Sequence, residues 1–310
     1  MIVSVPLVRG TYIGGGDAGA IMGTDPHRSI LEVYLNKTNE LEKKDISKLI
    51  PVRVGKRLED LVVELFEEET GYKINNRQLE ICNAEHQFIA GHIDGDFIDG
   101  EGRVVLFEAK TTSAYMNKNW DEESNELPMA YFYQVHHYLA CHPEYEYAMA
   151  CVLIGNTNIK IITIDRNPDI TTELIKRECE FWQMVQEHTP PEVTRASDIN
   201  VMKRLYPEGE DEQLDITSED AIEAASTLMS AQAEAKALEE IIDTMKAKLQ
   251  SKMKEADKAF AGDYSMTWKS QTRNTLDTKA LKEAHPDIAA KFNRESSSRV
   301  FLIKKIKKAV

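Results

Sequence analysis

The chain is poor in cysteine. Its 310 residues hold 4, Cys82, Cys141, Cys151 and Cys179, and no two stand at C-x-x-C spacing. Neither a zinc ribbon nor an iron–sulfur cluster is expected, and the thiols read as reduced and structural. Long apolar runs are missing too. The longest, residues 104–107 and 148–154, fall far short of the roughly 20 residues of a membrane helix. The opening Met1-Ile2-Val3-Ser4-Val5-Pro6 has neither the charged segment nor the apolar core of a secretory signal, so the expectation is a cytoplasmic protein. Positive charge is also short: 38 Lys and Arg against 52 Asp and Glu leave a net charge of -14. That argues against a protein that coats nucleic acid through overall basicity. It does not exclude a nuclease, whose acid excess is partly committed to metal ligands and exposed helices.

What is present is an ordinary globular composition, 42% hydrophobic and 29% charged, in a chain long enough for one catalytic domain and an appendage. Gly14-Gly15-Gly16-Asp17 reads as a tight turn entering a short helix, with Asp17 as N-cap. Ser29 to Glu32 is a capping box. A helix over 54–69 carries the apolar stripe Val54, Leu58, Leu61, Val62, Leu65 and Phe66 and stops at Gly71. Strands are predicted over 78–82, 88–98 and 104–111, then a helix from Pro128 to about Cys141. A hairpin of strands 147–154 and 160–164 turns at Gly155-Asn156-Thr157-Asn158, and a helix runs from Pro168 to about Glu187. This order predicts an α/β or α+β core, a mixed sheet flanked by helices, over residues 1–192. Residues 193–216 read as a linker. Residues 217–310 read as an extension: a long amphipathic helix over 218–256, a strand over 264–269, a helix over 277–292 and a strand over 298–303, ending in the basic run Lys304-Lys305-Ile306-Lys307-Lys308.

The chemistry concentrates at Gly91-His92-Ile93-Asp94-Gly95-Asp96 and, one hairpin later, Phe107-Glu108-Ala109-Lys110. Side chains repeat every second residue along a strand, so Glu108 and Lys110 share a face. Asp94 and Glu108 can then share a divalent cation through hard oxygen ligands, with Lys110 beside an attacking water. Asp96 is a weaker substitute for Asp94. Glu59 adjoins the apolar stripe of its helix, where a carboxylate can point from the core edge toward the sheet; a solvated helix glutamate is the plainer reading. Gln134, among Tyr131, Val135 and Tyr138, is either a hydrogen-bonded core amide or the support of Lys110 and the catalytic water. His92, His136 and His137 lack any zinc-binding pattern. Tyr115, Lys118 and Trp120, after the catalytic strand, suit packing or contact with terminal bases. The Gly14–16 cluster follows no strand of a βαβ unit and is no dinucleotide fingerprint.

Taken in order, Arg9 with the glycine turn ending at Asp17-Ala18, Gly55-x-x-Leu58-Glu59, Asp94-Gly95, Glu108-x-Lys110 and Tyr131-x-x-Gln134-Val135 resemble the lambda exonuclease and YqaJ-like viral recombinase family, within the PD-(D/E)xK nuclease superfamily. The resemblance covers residues 9–188. It implies a restriction-endonuclease-like core and a Mg²⁺-dependent exonuclease, with Mn²⁺ able to substitute and two ions per site, that digests linear duplex DNA 5′ to 3′. The 3′ overhang would feed a single-strand annealing recombinase of phage type. Asp94, Glu108 and the Ala109 carbonyl would hold metal, and Glu59 a second metal or its water. Lys110 would position and help deprotonate the water, supported by Gln134, and Arg9 with Gly16 and Asp17 would meet the 5′-phosphate. Gly16 stands where the family has serine, so one hydroxyl contact to that phosphate is missing. A homo-oligomer, a trimer, is also implied. The alternatives are a restriction- or repair-type endonuclease using the same site, and a non-catalytic DNA-binding or assembly module.

Overall fold

The protein is described by a computed structural model covering residues 10–113, 126–294 and 298–305. It divides into two compact units, Met1–Tyr206 and Pro207–Val310.

In the first unit, α1 (Gly15–Ile21) and α2 (Ile30–Lys37) precede the long α3 (Ile50–Thr70). Then come β1 (Glu80–Cys82), β2 (Ala90–His92), β3 (Gly95–Ile98), β4 (Val104–Thr112), α4 (Met129–Cys141), β5 (Tyr147–Ile154), β6 (Asn158–Asp165), α5 (Pro168–Glu187) and α6 (Asp198–Leu205). The main sheet has the order β3-β4-β5-β6, and β4 pairs parallel with β5 but antiparallel with β3. It is therefore the mixed sheet the sequence predicts, and helices flank it on both faces. Alternation along β4 decides which helix each residue meets. Val105 and Phe107 pack with Val62 and Phe66 of α3, their rings 4.8 Å apart between Phe66 and Phe107. Leu106 packs on the other face with Val135 and Leu139 of α4. Fully burying each such side chain is worth about 1.5–3 kcal/mol.

Several expectations need correction. Helix α3 starts at Ile50 with Pro51 in its first turn, and Gly71 caps it at φ 76°. Its buried stripe is Val62, Val63 and Phe66, while Val54 and Leu61 are exposed. The single strand expected over 88–98 is two: β2 pairs with β1 in a small separate sheet, β3 joins the main sheet, and Ile93-Asp94 form the break. The Ile93 amide donates to the Leu79 carbonyl, which diverts the chain between sheets. The first part of the expected linker is α6, where Val201 is buried with the α1–α2 core. Arg195 just before it donates to the carbonyls of Asp25 and Arg28, and Arg204 at its end pairs with Glu32. Ser29 caps α2 as expected by accepting from the Glu32 amide. Asp17 is not an N-cap. Gly14 holds that position, and the Asp17 carboxylate reaches back to the Gly14 amide from the third helical residue.

The second unit has α7 (Glu219–Met253), the hairpin β7 (Lys258–Ala261) and β8 (Tyr264–Thr267), α8 (Thr278–Ala284) and α9 (Pro286–Lys291). Strand β7 was not expected. Pro286 divides the single helix predicted over 277–292, because it has no N–H to donate and fits only a first turn. The strand predicted over 298–303 is absent among the described residues of that segment.

Candidate active site

One cleft of about 310 Å³ is lined by Gly55, Glu59, Val62, Asp94, Glu108, Ala109, Lys110, Thr111, Tyr131 and Gln134. Four parts of the chain build it: α3, the break before β3, β4 and α4. The β3–β4 register sets Gly95 opposite Phe107, which brings Asp94 beside the middle of β4, where it accepts a 2.9 Å hydrogen bond from the Ala109 amide. Glu108 and Lys110 share a face of β4 and form an ion pair through Glu108 Oε1. From α4, the Gln134 amide donates to that same oxygen at 2.9 Å. Lys110 Nζ also lies 5.0 Å from the centroid of the Tyr131 ring.

The electrostatics are those of crowded acids in a dry place. Glu108 is 2% exposed. Burial first, then the charges of Asp94 and Glu59, push its carboxyl up to about 7 in spite of Lys110. Asp94 is raised as well, again by burial, against the opposing pull of Lys110 and the Ala109 N–H. Burial works against the charge on Lys110, yet the Glu108 and Asp94 carboxylates hold its pKa above the ordinary value. Two carboxylates resist ionising beside one ammonium, so the site lacks positive charge.

That deficit and the hard oxygen donors fit a divalent cation such as Mg²⁺, which uses one or two carboxylates and keeps several waters. Among the described residues no three His, Cys, Asp or Glu side chains cluster as metal ligands. Glu59 shows why. It lines the cleft, but its Oε1 accepts from Gln78 at 2.8 Å and from Arg77 at 3.3 Å, which draws it toward the segment before β1.

Comparison with known proteins supplies the relationship. Residues 7–146 match the YqaJ-like viral recombinase domain. The chain is also 31% identical over 304 residues to the uncharacterized protein YqaJ of Bacillus subtilis (strain 168), covering 95% of this chain and 91% of that one. The chain belongs to the YqaJ-like viral recombinase family. Two solved structures are similar at a lower level. An alkaline exonuclease from Laribacter hongkongensis superposes with TM-score 0.49 at 13% identity, covering 58% of this chain and 91% of that one. A phage-related exonuclease from Haemophilus somnus 129PT gives 0.44 at 12%, covering 57% and 96%.

Beside the cleft lies the glycine turn. A Cβ on Gly15 or Gly91 would stand 2.6 or 2.7 Å from the Tyr138 ring, so both glycines are required by that one aromatic. The Tyr138 hydroxyl accepts from Gln134 at 3.4 Å, which links the turn to Glu108. Arg9 lies outside the described residues, as do Tyr115, Lys118 and Trp120. Asp17 is buried with Lys37 at 2.8 Å and Arg28 at 2.9 Å. Burial opposes its ionisation, but the two cations hold its carboxyl down at about 2. Asp17 therefore acts as an anchor for two cations. Arg28 and Lys37, which the sequence did not single out, are the positive groups at this turn among the described residues. Arg28 also reaches the Gly16 carbonyl.

Asp96, His92 and His137 all have partners within the first unit. Asp96 accepts from both the Asn76 amide and the Tyr145 hydroxyl, which pins the segment before β1 to the approach of β5. His92 meets Glu80 across the β1–β2 pair. His137 is fully buried between Glu178 of α5, at 2.7 Å, and the Ala90 carbonyl of β2, at 3.1 Å.

Proposed function

We propose that this protein is a Mg²⁺-dependent exonuclease acting 5′ to 3′ on linear double-stranded DNA. The carrying observation is that the buried Glu108 and the half-buried Asp94 line one cleft together with Lys110, the cation paired to Glu108.

Asp94 and Glu108 would hold the cation, with the Ala109 carbonyl as a third oxygen. When bound, the cation lowers the pKa of a water and stabilises charge developing on the phosphate. Lys110 orients that water and shares its hydrogen-bonding capacity with Glu108. Gln134 fixes the Glu108 carboxylate by occupying one oxygen, which leaves the other to face the cleft. Release of Glu59 from Arg77 and Gln78 would give a second ion its ligand, so Glu59 is the residue on which a two-ion site depends. Mn²⁺ has the same ligand preference and can substitute. Arg9, with the backbone around Gly16 and Asp17, would hold the terminal 5′-phosphate, since amides at a helix start favour anions.

The same reading places the protein in the cytoplasm of a bacterial host, as a homo-oligomer, a trimer in keeping with the family resemblance. There it would hand a 3′ overhang to a single-strand annealing recombinase. Among the described residues no helix is long and apolar enough to cross a membrane.

The test is digestion of end-labelled linear duplex with Mg²⁺, comparing 5′-phosphoryl with 5′-hydroxyl ends and a closed circle. Progressive loss of one strand from the 5′ end, with the circle intact, is expected. Cleavage of the circle would instead favour the endonuclease alternative, and no cleavage of any substrate would leave only the non-catalytic module.

A further inference from the structure

The chain is acidic as a whole, but its charge is divided. Residues 244–310 hold 16 Lys and Arg against 7 Asp and Glu, a net of +9, while the preceding 243 residues carry -23. A segregation of that size within one chain is a signature of contact with a polyanion.

Structure adds a second, independent observation. The basic part begins on the last turns of α7, with Lys246, Lys248 and Lys252, and continues into the β7–β8 hairpin. There Phe260 and Tyr264 are 70% and 77% exposed, and Trp268 just beyond is 48% exposed. Phe301, next to Lys304 and Lys305, is 79% exposed. The register sets Phe260 opposite Ser265 and Ala261 opposite Tyr264, so the two rings project from opposite faces of the hairpin. Lys258 lies over the Phe260 ring at 4.9 Å. Exposed rings set among lysines are the pairing of aromatic and basic groups that single-strand binders use.

We propose that the second unit binds single-stranded DNA, with the lysines along the phosphates and the exposed rings stacked on bases. The single strand is favoured over duplex because stacking needs an open base face, which paired and stacked bases do not offer. That this strand is the one left by digestion rests on the exonuclease reading; the binding itself does not.

The experiment uses the full-length protein in EDTA, so that no strand is cut, and follows the anisotropy of a fluorescein-labelled 20-nucleotide oligothymidylate. The same titration is made with a 20-base-pair duplex and with phosphatidylglycerol vesicles. Duplex affinity, to which the proposed exonuclease site also contributes, is expected to stay the same in the ring variant below. Phe260→Ala with Tyr264→Ala should weaken single-strand binding about tenfold. Both side chains are exposed, so the double variant keeps its fold, which an unchanged thermal melt verifies. Replacing Lys248, Lys252, Lys304 and Lys305 by Gln should flatten the salt dependence by about 3, at roughly 0.7 per phosphate contact. Wild-type affinity for the single strand in either variant overturns the proposal, as does an equal loss of duplex affinity in the ring variant, or binding of vesicles without the oligonucleotide. If oligothymidylate binds as expected while digestion in Mg²⁺ fails, the exonuclease reading falls and this one stands.

Discussion

Gln134 and Lys110 bind the same oxygen of Glu108, one from helix α4 and one from the strand that carries Glu108 itself. One carboxylate oxygen is thus fixed from two directions, and its position depends on the packing of α4 against the sheet.

If these groups perform the chemistry, Asp94→Asn and Lys110→Ala should each lower strand digestion by about 10³-fold, within the range of positioned acid–base and electrostatic groups. Circular dichroism should show the fold retained. Gln134→Ala should act more mildly, about tenfold, because the ion pair with Lys110 remains. Full activity in purified Lys110→Ala would remove this residue from the mechanism.

Cation binding should stabilise the protein. At a Mg²⁺ concentration 100 times its dissociation constant, mass action adds about 2.7 kcal/mol to folding. The melting temperature should therefore rise on replacing EDTA by Mg²⁺, and Asp94→Asn with Glu108→Gln should abolish that rise. A rise of equal size in the double variant would place the ion elsewhere.

The buried His137–Glu178 pair should make stability depend on pH. Burial works against the His137 charge, but Glu178 holds its pKa well above the ordinary 6.5. A group raised on folding contributes fully below its unfolded pKa and loses that contribution as pH rises through the folded value. Urea unfolding of wild type should accordingly weaken from about pH 6.5 upward. His137→Gln leaves a buried carboxylate without its cation and should cost about 3–5 kcal/mol at pH 6. The gap between the two proteins should narrow at alkaline pH; a gap that is constant with pH would show that the imidazole is not charged.

At the glycine turn, substitutions at neighbouring positions should diverge. Gly15→Ala forces its methyl into the Tyr138 ring and should cost about 1–3 kcal/mol. Among the described residues a Cβ at Gly16 meets only Arg28, at 3.9 Å, so Gly16→Ser should fold normally. The serine hydroxyl is expected to sharpen the preference for 5′-phosphorylated over 5′-hydroxyl ends, measured as the ratio of their digestion rates.

The sequence made the centre of the site legible because a strand's period of two puts Glu108 and Lys110 together wherever that strand lies. The sheet was legible for the same reason, through short apolar runs bounded by turn residues. Other features depend on contacts between distant segments. Nothing local says that Arg28 and Lys37 converge on Asp17, or that Arg77 and Gln78 occupy Glu59. Helix α6 was hidden because it is only eight residues long, so its apolar face of Val201, Met202 and Leu205 spans about two turns, and its other ties, Arg195 and Arg204, reach distant segments. In β7, only four residues pair, and Lys258-Ala259-Phe260-Ala261 has no clear alternation.

The break at Ile93-Asp94 insulates the strands that carry the site from the small sheet before them. Residues gained or lost in the turn joining β1 to β2 would be absorbed by the small sheet upstream of the break. A single residue gained within β4 ahead of Glu108 would turn Glu108 and Lys110 toward α3 and disarm the cleft, so length is expected to drift in the turns and to stay constant within β4.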